Sequence, residues 1–270
     1  MMERSQGAYS FRDAGAANWP ILICLLGDFQ LLKAGCAISV RGGGKTEALL
    51  SYLGIHYNQR VPRETLLNVL WSSGDPILAG QSLNSLVYSL SKLLGDAIGG
   101  AAPILHADGY YRLNTHAGVG VDLACFEALV SEGDQRRRAG DLAGAANAYQ
   151  CAANVYRGDL WSGSDLQSAV DRERLRADYL RLLARLADYH YIQGDYTACL
   201  EHARRLLAGD PCREDAHRLA MRCYVRQGER AQALRQYRLC TDILRAEFDA
   251  SPEPATTALY EQARRDPCSI

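Results

Sequence analysis

No apolar run in this 270-residue chain is long enough to cross a bilayer. The longest near the N-terminus, Trp19 to Leu26, falls far short of the roughly 20 residues a span requires. It follows a tail carrying Glu3, Arg4, Arg12 and Asp13, not a short basic segment, and no small-residue cleavage site comes after it, so a buried strand is expected there and not a signal peptide. An excess of one charge is also missing. Net charge is −1; residues 20–120 hold seven Lys or Arg and six acids, and residues 121–270 hold 21 Arg and 23 acids. Composition alone therefore gives no sign of a nucleic-acid partner. The nine cysteines, an odd number, include no Cys-x-x-Cys pair, and are expected to be thiols in a reducing cytoplasm and not a disulfide frame or zinc site. The six histidines are scattered, and no Ser-His-Asp, Cys-His or paired-carboxylate arrangement stands out, so neither catalysis nor a cofactor or metal is expected.

One segment invites a nucleotide reading and fails it. Arg41-Gly-Gly-Gly-Lys-Thr46 lies between a strand and a helix, but a phosphate loop needs a glycine five residues before Gly44, where Ser39 stands. The helix N-terminus there, with Lys45, is suited instead to a DNA phosphate.

With 48% hydrophobic and 23% charged residues, the chain has the composition of a folded globular protein, and its length suggests two domains. Residues 1–18 are aperiodic and expected to form a flexible tail. Ile21–Leu26, Phe29–Lys33 and Ala37–Val40 then read as short strands, with Ala34-Gly35 a turn between the last two. Three helices follow, at Lys45–His56, Arg63–Leu70 after Pro62, and Ala79–Leu94 with leucines at helical spacing. Ile104–Leu105 and Tyr110–Leu113, joined across Asp108-Gly109, make a closing hairpin.

Strands, three helices and a hairpin is the order of a winged helix, whose third helix enters the major groove. Opposite its leucines, that helix carries Gln81, Ser85, Tyr88 and Lys92 at steps of four, three and four, which makes one exposed stripe. Such side chains can read base edges, with Gln suited to adenine and Lys to guanine or phosphate. The alternative is an ordinary solvated polar face. Phosphate contacts would come from Arg41, Lys45, Arg60, Arg63 and Arg112.

After Val119 the pattern is helical to the end: Asp122–Arg138, Leu142–Tyr156, Leu166–Gln193, Tyr196–Ala208, Arg213–Gln227, Ala231–Phe248 and Pro254–Arg265. Gly140-Asp141, Gly194-Asp195 and Gly228-Glu229 punctuate them, and the last two pairs are separated by the tetratricopeptide period of about 34 residues. Five residues beyond each glycine stands a small residue, Ala145, Cys199 or Ala233, which allows close helix packing. A longer first interval places an insertion at roughly 160–178. The predicted organisation is a winged-helix (α+β) domain over 19–116 and an all-α tetratricopeptide-like domain over 120–266.

Several segments together resemble the bacterial transcriptional activator domain family, in the compact form of the Streptomyces antibiotic regulatory proteins. They are Leu26-Gly27-Asp28-Phe29, Arg63-Glu64-Thr65-Leu66-Leu67, Gly109-Tyr110-Tyr111-Arg112-Leu113, Glu173-Arg174-Leu175-Arg176, Gly194-Asp195-Tyr196 and the whole of Arg213–Glu261. The resemblance implies a cytoplasmic activator that binds double-stranded DNA at direct repeats, self-associates on tandem sites and recruits RNA polymerase. It departs from the family at the third helix, where several arginines are usual and Lys92 is the only formal charge between Ala79 and Leu94. A second reading follows from that departure: a helical-repeat module that binds a protein or small ligand, with a degenerate winged helix that binds DNA weakly or not at all.

Overall fold

A computed structural model describes residues 19–40, 44–72, 75–161 and 166–270; the expected tail at 1–18 and Arg41, Gly42 and Gly43 of the expected turn lie outside the described residues. The chain forms two compact units. The first comprises the chain up to Ser131 together with Cys151–Leu175; the second comprises Glu132–Gln150 and Arg176–Ile270. The border between them runs through helices, whereas the residue pattern changes near 116–120.

In the first unit, β1 (Ile21–Cys24) is buried at every position, and such an apolar run suits a central strand. β2 (Gln30–Lys33) pairs with it antiparallel, and β3 (Cys36–Ile38) pairs with β2 across Ala34-Gly35. Both turn residues have positive φ, 49° and 78°, matching the twist of a tight hairpin. On the other side of β1 lies β7 (Val119–Val121), parallel to it, which gives the order β3-β2-β1-β7. This strand was not expected. Val-Gly-Val is too short to show a period, and its partner lies far away in the sequence. Its glycine is required by space, because a Cβ on Gly120 would fall 2.5 Å from the Trp19 ring.

The next elements frame the wing. α1 (Gly44–Ile55) buries Leu49, Leu50 and Leu53, and α2 (Arg63–Leu70) starts directly after Pro62, as expected. α3 (Pro76–Leu94) begins three residues earlier than predicted, because the Asp75 carboxylate accepts from the Ile77 amide at 2.8 Å and Pro76 takes the first helical position. Its core side carries Ala79, Leu83, Leu90 and Leu94. β5 (Ile104–Ala107) and β6 (Tyr110–Leu113) turn at Asp108-Gly109, both with positive φ. The short β4 (Val61–Pro62) joins β6 to complete a second sheet, β4-β6-β5.

α4 (Asp122–Arg138) opens with a buried carboxylate that reaches across to the sheet. Asp122 accepts from the Leu25 and Leu26 amides at 2.8 and 3.0 Å, satisfying donors where β1 ends. Burial pushes this carboxyl above its ordinary pKa, against the pull of those amides and of Arg157. Beyond α5 (Leu142–Val155), Leu160 bridges antiparallel to Leu26, and the Trp161 amide donates to the Leu25 carbonyl at 2.6 Å. Backbone hydrogen bonds thus hold this segment in the first unit.

The helical repeats continue with α6 (Leu166–Ile192), α7 (Tyr196–Gly209), α8 (Glu214–Arg226), α9 (Arg230–Phe248) and α10 (Pro254–Arg265). The long interval after the first glycine-acid pair is largely the 27-residue α6. At the three helix junctions Gly140, Gly194 and Gly228 take φ of 84°, 78° and 78°, the left-handed conformation that stops a helix. Asp141 and Asp195 then cap the next helix, accepting from the amides of Gly144 at 2.9 Å and Ala198 at 3.0 Å. Glu229 makes no such bond. Ala145, Cys199 and Ala233 are all buried, as their spacing predicted. In the second unit Cys199, Ala203, Leu219, Ala220 and Cys223 form the seam between α7 and α8. Met221, Ala233, Leu259 and Ala263 fill the next layer. The fold is a winged helix followed by tetratricopeptide-like repeats, and among the described residues no helix is long and apolar enough to cross a membrane.

Candidate nucleic-acid interface

The stripe expected on the third helix lies on an open face. Gln81, Ser85, Tyr88 and Lys92 are all exposed along α3, Tyr88 by 72% of its surface, while Leu83 and Leu90 point to the core. Ser85 donates its hydroxyl to the Gln81 carbonyl at 3.0 Å, which holds its rotamer and leaves its oxygen able to accept. The stripe continues toward the helix start through two apolar residues, Ile77 and Leu78, exposed by 72% and 61%. Sequence reading starts the helix at Ala79 and misses them, although the Asp75-Pro76 cap signal was present.

Arg60 and Arg112 are exposed beside the hairpin. Val61 is paired with Tyr111, both buried, so extending that antiparallel register by one residue sets Arg60 opposite Arg112. Alternation along the strands then directs this basic pair to the outer face of the wing sheet. His106 stacks on Tyr111, with ring centroids 4.3 Å apart, and Tyr110 stands half-exposed next to the turn.

Two residues expected to meet phosphate make internal contacts. Arg63 donates from Nη1 to the Tyr111 hydroxyl at 2.9 Å and to Asn84 Oδ1 at 3.0 Å, and from Nη2 to the Gly80 carbonyl at 3.0 Å. One guanidinium therefore ties α2 to both α3 and β6, and the Arg63 amide adds a bond to the Gly109 carbonyl at 2.8 Å. The glycine in the body of α3 makes this possible, since a Cβ on Gly80 would come within 2.8 Å of Arg63 Nη2. Lys45 donates to the Leu70 carbonyl, and its ammonium stands 5.7 Å from the centre of the Trp71 ring. It thereby satisfies the carbonyl end of α2, where a cation is favoured. Arg41 lies outside the described residues.

A polar cavity of about 330 Å³ lies elsewhere in the first unit, lined by His56, Tyr57, Gln59, Glu127, Asp171 and Arg174 among others. Tyr57 donates to Glu127 Oε2 at 2.9 Å, and Arg174 donates to Glu127 Oε1 at 2.8 Å. Burial and the Glu127 contact push the tyrosine hydroxyl up to about 12. The cluster fastens the segment after α1 to α4 and α6, and it contains no activated nucleophile. Among the described residues no group of three or more His, Cys, Asp or Glu could hold a metal ion.

A family model for the bacterial transcriptional activator domain matches residues 121–264. The chain is 26% identical over 239 residues to the regulatory protein AfsR of Streptomyces coelicolor, a match covering 88% of this chain and 24% of AfsR. It is 25% identical over 264 residues to the transcriptional regulatory protein MoaR1 of Mycobacterium tuberculosis, covering 96% and 83%. Among solved structures, Mycobacterium tuberculosis EmbR in complex with a low-affinity phosphopeptide superposes with a TM-score of 0.71 at 26% identity, covering 92% of this chain and 65% of that one. This chain thus spans about a quarter of AfsR and just under two thirds of the EmbR chain.

Proposed function

Because the chain belongs to the bacterial transcriptional activator domain family, we propose that it is a transcriptional regulator that binds double-stranded DNA through α3 and the wing. The observation that carries this reading is the exposed stripe from Gln81 to Lys92 on the third helix of a winged helix. With α3 in the major groove, Gln81 can pair with an adenine edge and Lys92 with guanine or a phosphate. Arg60 and Arg112, on the outer face of the wing sheet, supply backbone contacts that position without reading sequence. Arg63 and Lys45 act indirectly: they hold α2, α3 and β6 in the geometry that aims the stripe.

As an activator the protein binds direct repeats near promoters, with copies associating on tandem sites, and recruits RNA polymerase. The family's description supports activation, and the relatives' names support a role in regulation. Binding to promoter DNA from the native host tests it. With Arg60, Lys92 and Arg112 as the phosphate-neutralising groups, log affinity should fall against log salt with a slope of about −3. A flat salt response, or no shift of promoter DNA, would defeat the proposal. In a supershift assay, RNA polymerase should join the complex on a two-repeat probe and not on a one-repeat probe.

The bonds that Lys45 and Arg63 make to the protein itself favour one rival, a repeat module with a winged helix that no longer reads DNA. On that reading Lys92→Ala and Arg112→Ala leave reporter activation unchanged.

A further inference from the structure

α3 carries a feature that phosphate and polar contacts do not use. An α-helix advances about 100° per residue, so Ile77 and Leu78 fall about 40° and 60° to either side of Gln81, on the exposed face and one turn nearer the helix start. The buried Leu83 and Leu90 lie on the opposite side. The open face of α3 is thus apolar over its first turn and polar from Gln81 onward. The Asp75 cap, bonded to the Ile77 amide at 2.8 Å, and Pro76 fix the backbone of that first turn.

We propose that Ile77 and Leu78 read the C5-methyl groups of thymine in the major groove, so that the operator carries thymine where the first turn of α3 meets it. The inference rests on the DNA-binding reading above and names the chemistry of the site recognised. In helix-turn-helix docking the N-terminal residues of the recognition helix approach base edges most closely. There, the thymine methyl is the apolar group a base pair presents, and apolar side chains are its partners. A protein partner fits the pair less well. Two aliphatic side chains offer only about 60–120 Å² of apolar area each, well short of the about 800 Å² per partner of a specific protein interface. The same geometry accounts for a reading helix with a single formal charge: discrimination at this end of α3 comes from methyl packing and not from arginine forks.

The test uses the full chain and the duplex it enriches from a random-sequence pool, compared with the same duplex in which deoxyuridine replaces thymine and so removes only the methyl. Affinity should drop roughly fourfold for each contacted methyl lost. Ile77→Ala and Leu78→Ala together should weaken binding to the thymine duplex and bring the thymine-to-uracil ratio close to one. Lys92→Ala should weaken both duplexes and leave that ratio unchanged. Both apolar side chains are exposed, so unchanged thermal unfolding of the double variant checks the fold, and the base swap on the unaltered protein needs no variant. Equal binding of the two duplexes overturns the methyl assignment and leaves DNA binding standing. Failure to enrich any duplex overturns both. A double variant that keeps the thymine preference yet loses transcription makes the pair a protein contact and also overturns the assignment.

Discussion

The winged-helix half and the repeat half differ in how many of their ion pairs are local, although the repeats also hold distant ones such as Arg185 to Asp134 and Arg218 to Glu253. In the repeats, Asp141 and Asp195 cap amides three residues away, and many ion pairs lie three or four residues apart, as with Arg181 and Asp178. In the winged helix the decisive contacts are distant. Arg63 reaches Asn84 and Tyr111, and Asp122 reaches Leu25 and Leu26. A local contact follows from helix geometry, whereas a distant one exists only after the chain has folded. Charged residues in the two halves therefore cannot be read by one rule.

The largest expected effect comes from the longest of these reaches. Asp122→Ala leaves two buried amides without an acceptor and Arg157 without its carboxylate, and should cost about 3 kcal/mol or more in urea unfolding. A loss under about 1 kcal/mol would break the contrast between the halves.

The repeat half should respond to acid. Burial, with help from His190 and Arg205, pulls the His202 imidazole down to about 4. Because that lies below the ordinary value of about 6.5, the contribution is fully present above pH 6.5, is lost as pH falls toward 4, and reaches at most about 3 kcal/mol. His217, also shifted down by burial, faces the Pro211 carbonyl and the Gln236 amide, and adds to the same acid loss. Thermal unfolding against pH should show this slope, and His202→Phe should flatten most of it.

A smaller effect separates the two kinds of cation in the winged helix. Arg63→Met should cost about 2 kcal/mol of stability and weaken DNA binding without changing its salt dependence. Arg112→Ala should leave stability within about 0.5 kcal/mol and reduce the salt slope by about 1. An equal change of slope in both variants would place Arg63 on the phosphate backbone.

Much of the fold was legible before any coordinates. α2, α4 and α10 coincide with the predicted limits, and the hairpin turns at Asp108-Gly109, because periodicity, prolines and left-handed glycines act over a few residues. β7 was not legible, since three residues show no period and their partner strand lies about a hundred positions earlier. The candidate site was legible in part. The Gln81 to Lys92 stripe follows from helical spacing, but its apolar extension depended on where the cap started the helix.

The sequence by itself determined the helices of the repeats, their glycine stops, and the polar stripe on α3 that ends in Lys92, since each depends on residues within a turn or two of one another. Only the tertiary structure decided that Arg63 and Lys45 bond to carbonyl and hydroxyl groups of the protein itself, while Arg60 and Arg112 stand exposed at the wing sheet. Strand alternation marks Arg112 as outward-facing, but for the other three cations the pattern makes no distinction. What separated them was whether folding brought a carbonyl or hydroxyl within reach, and Gly80, Leu70 and Tyr111 did so for two of them.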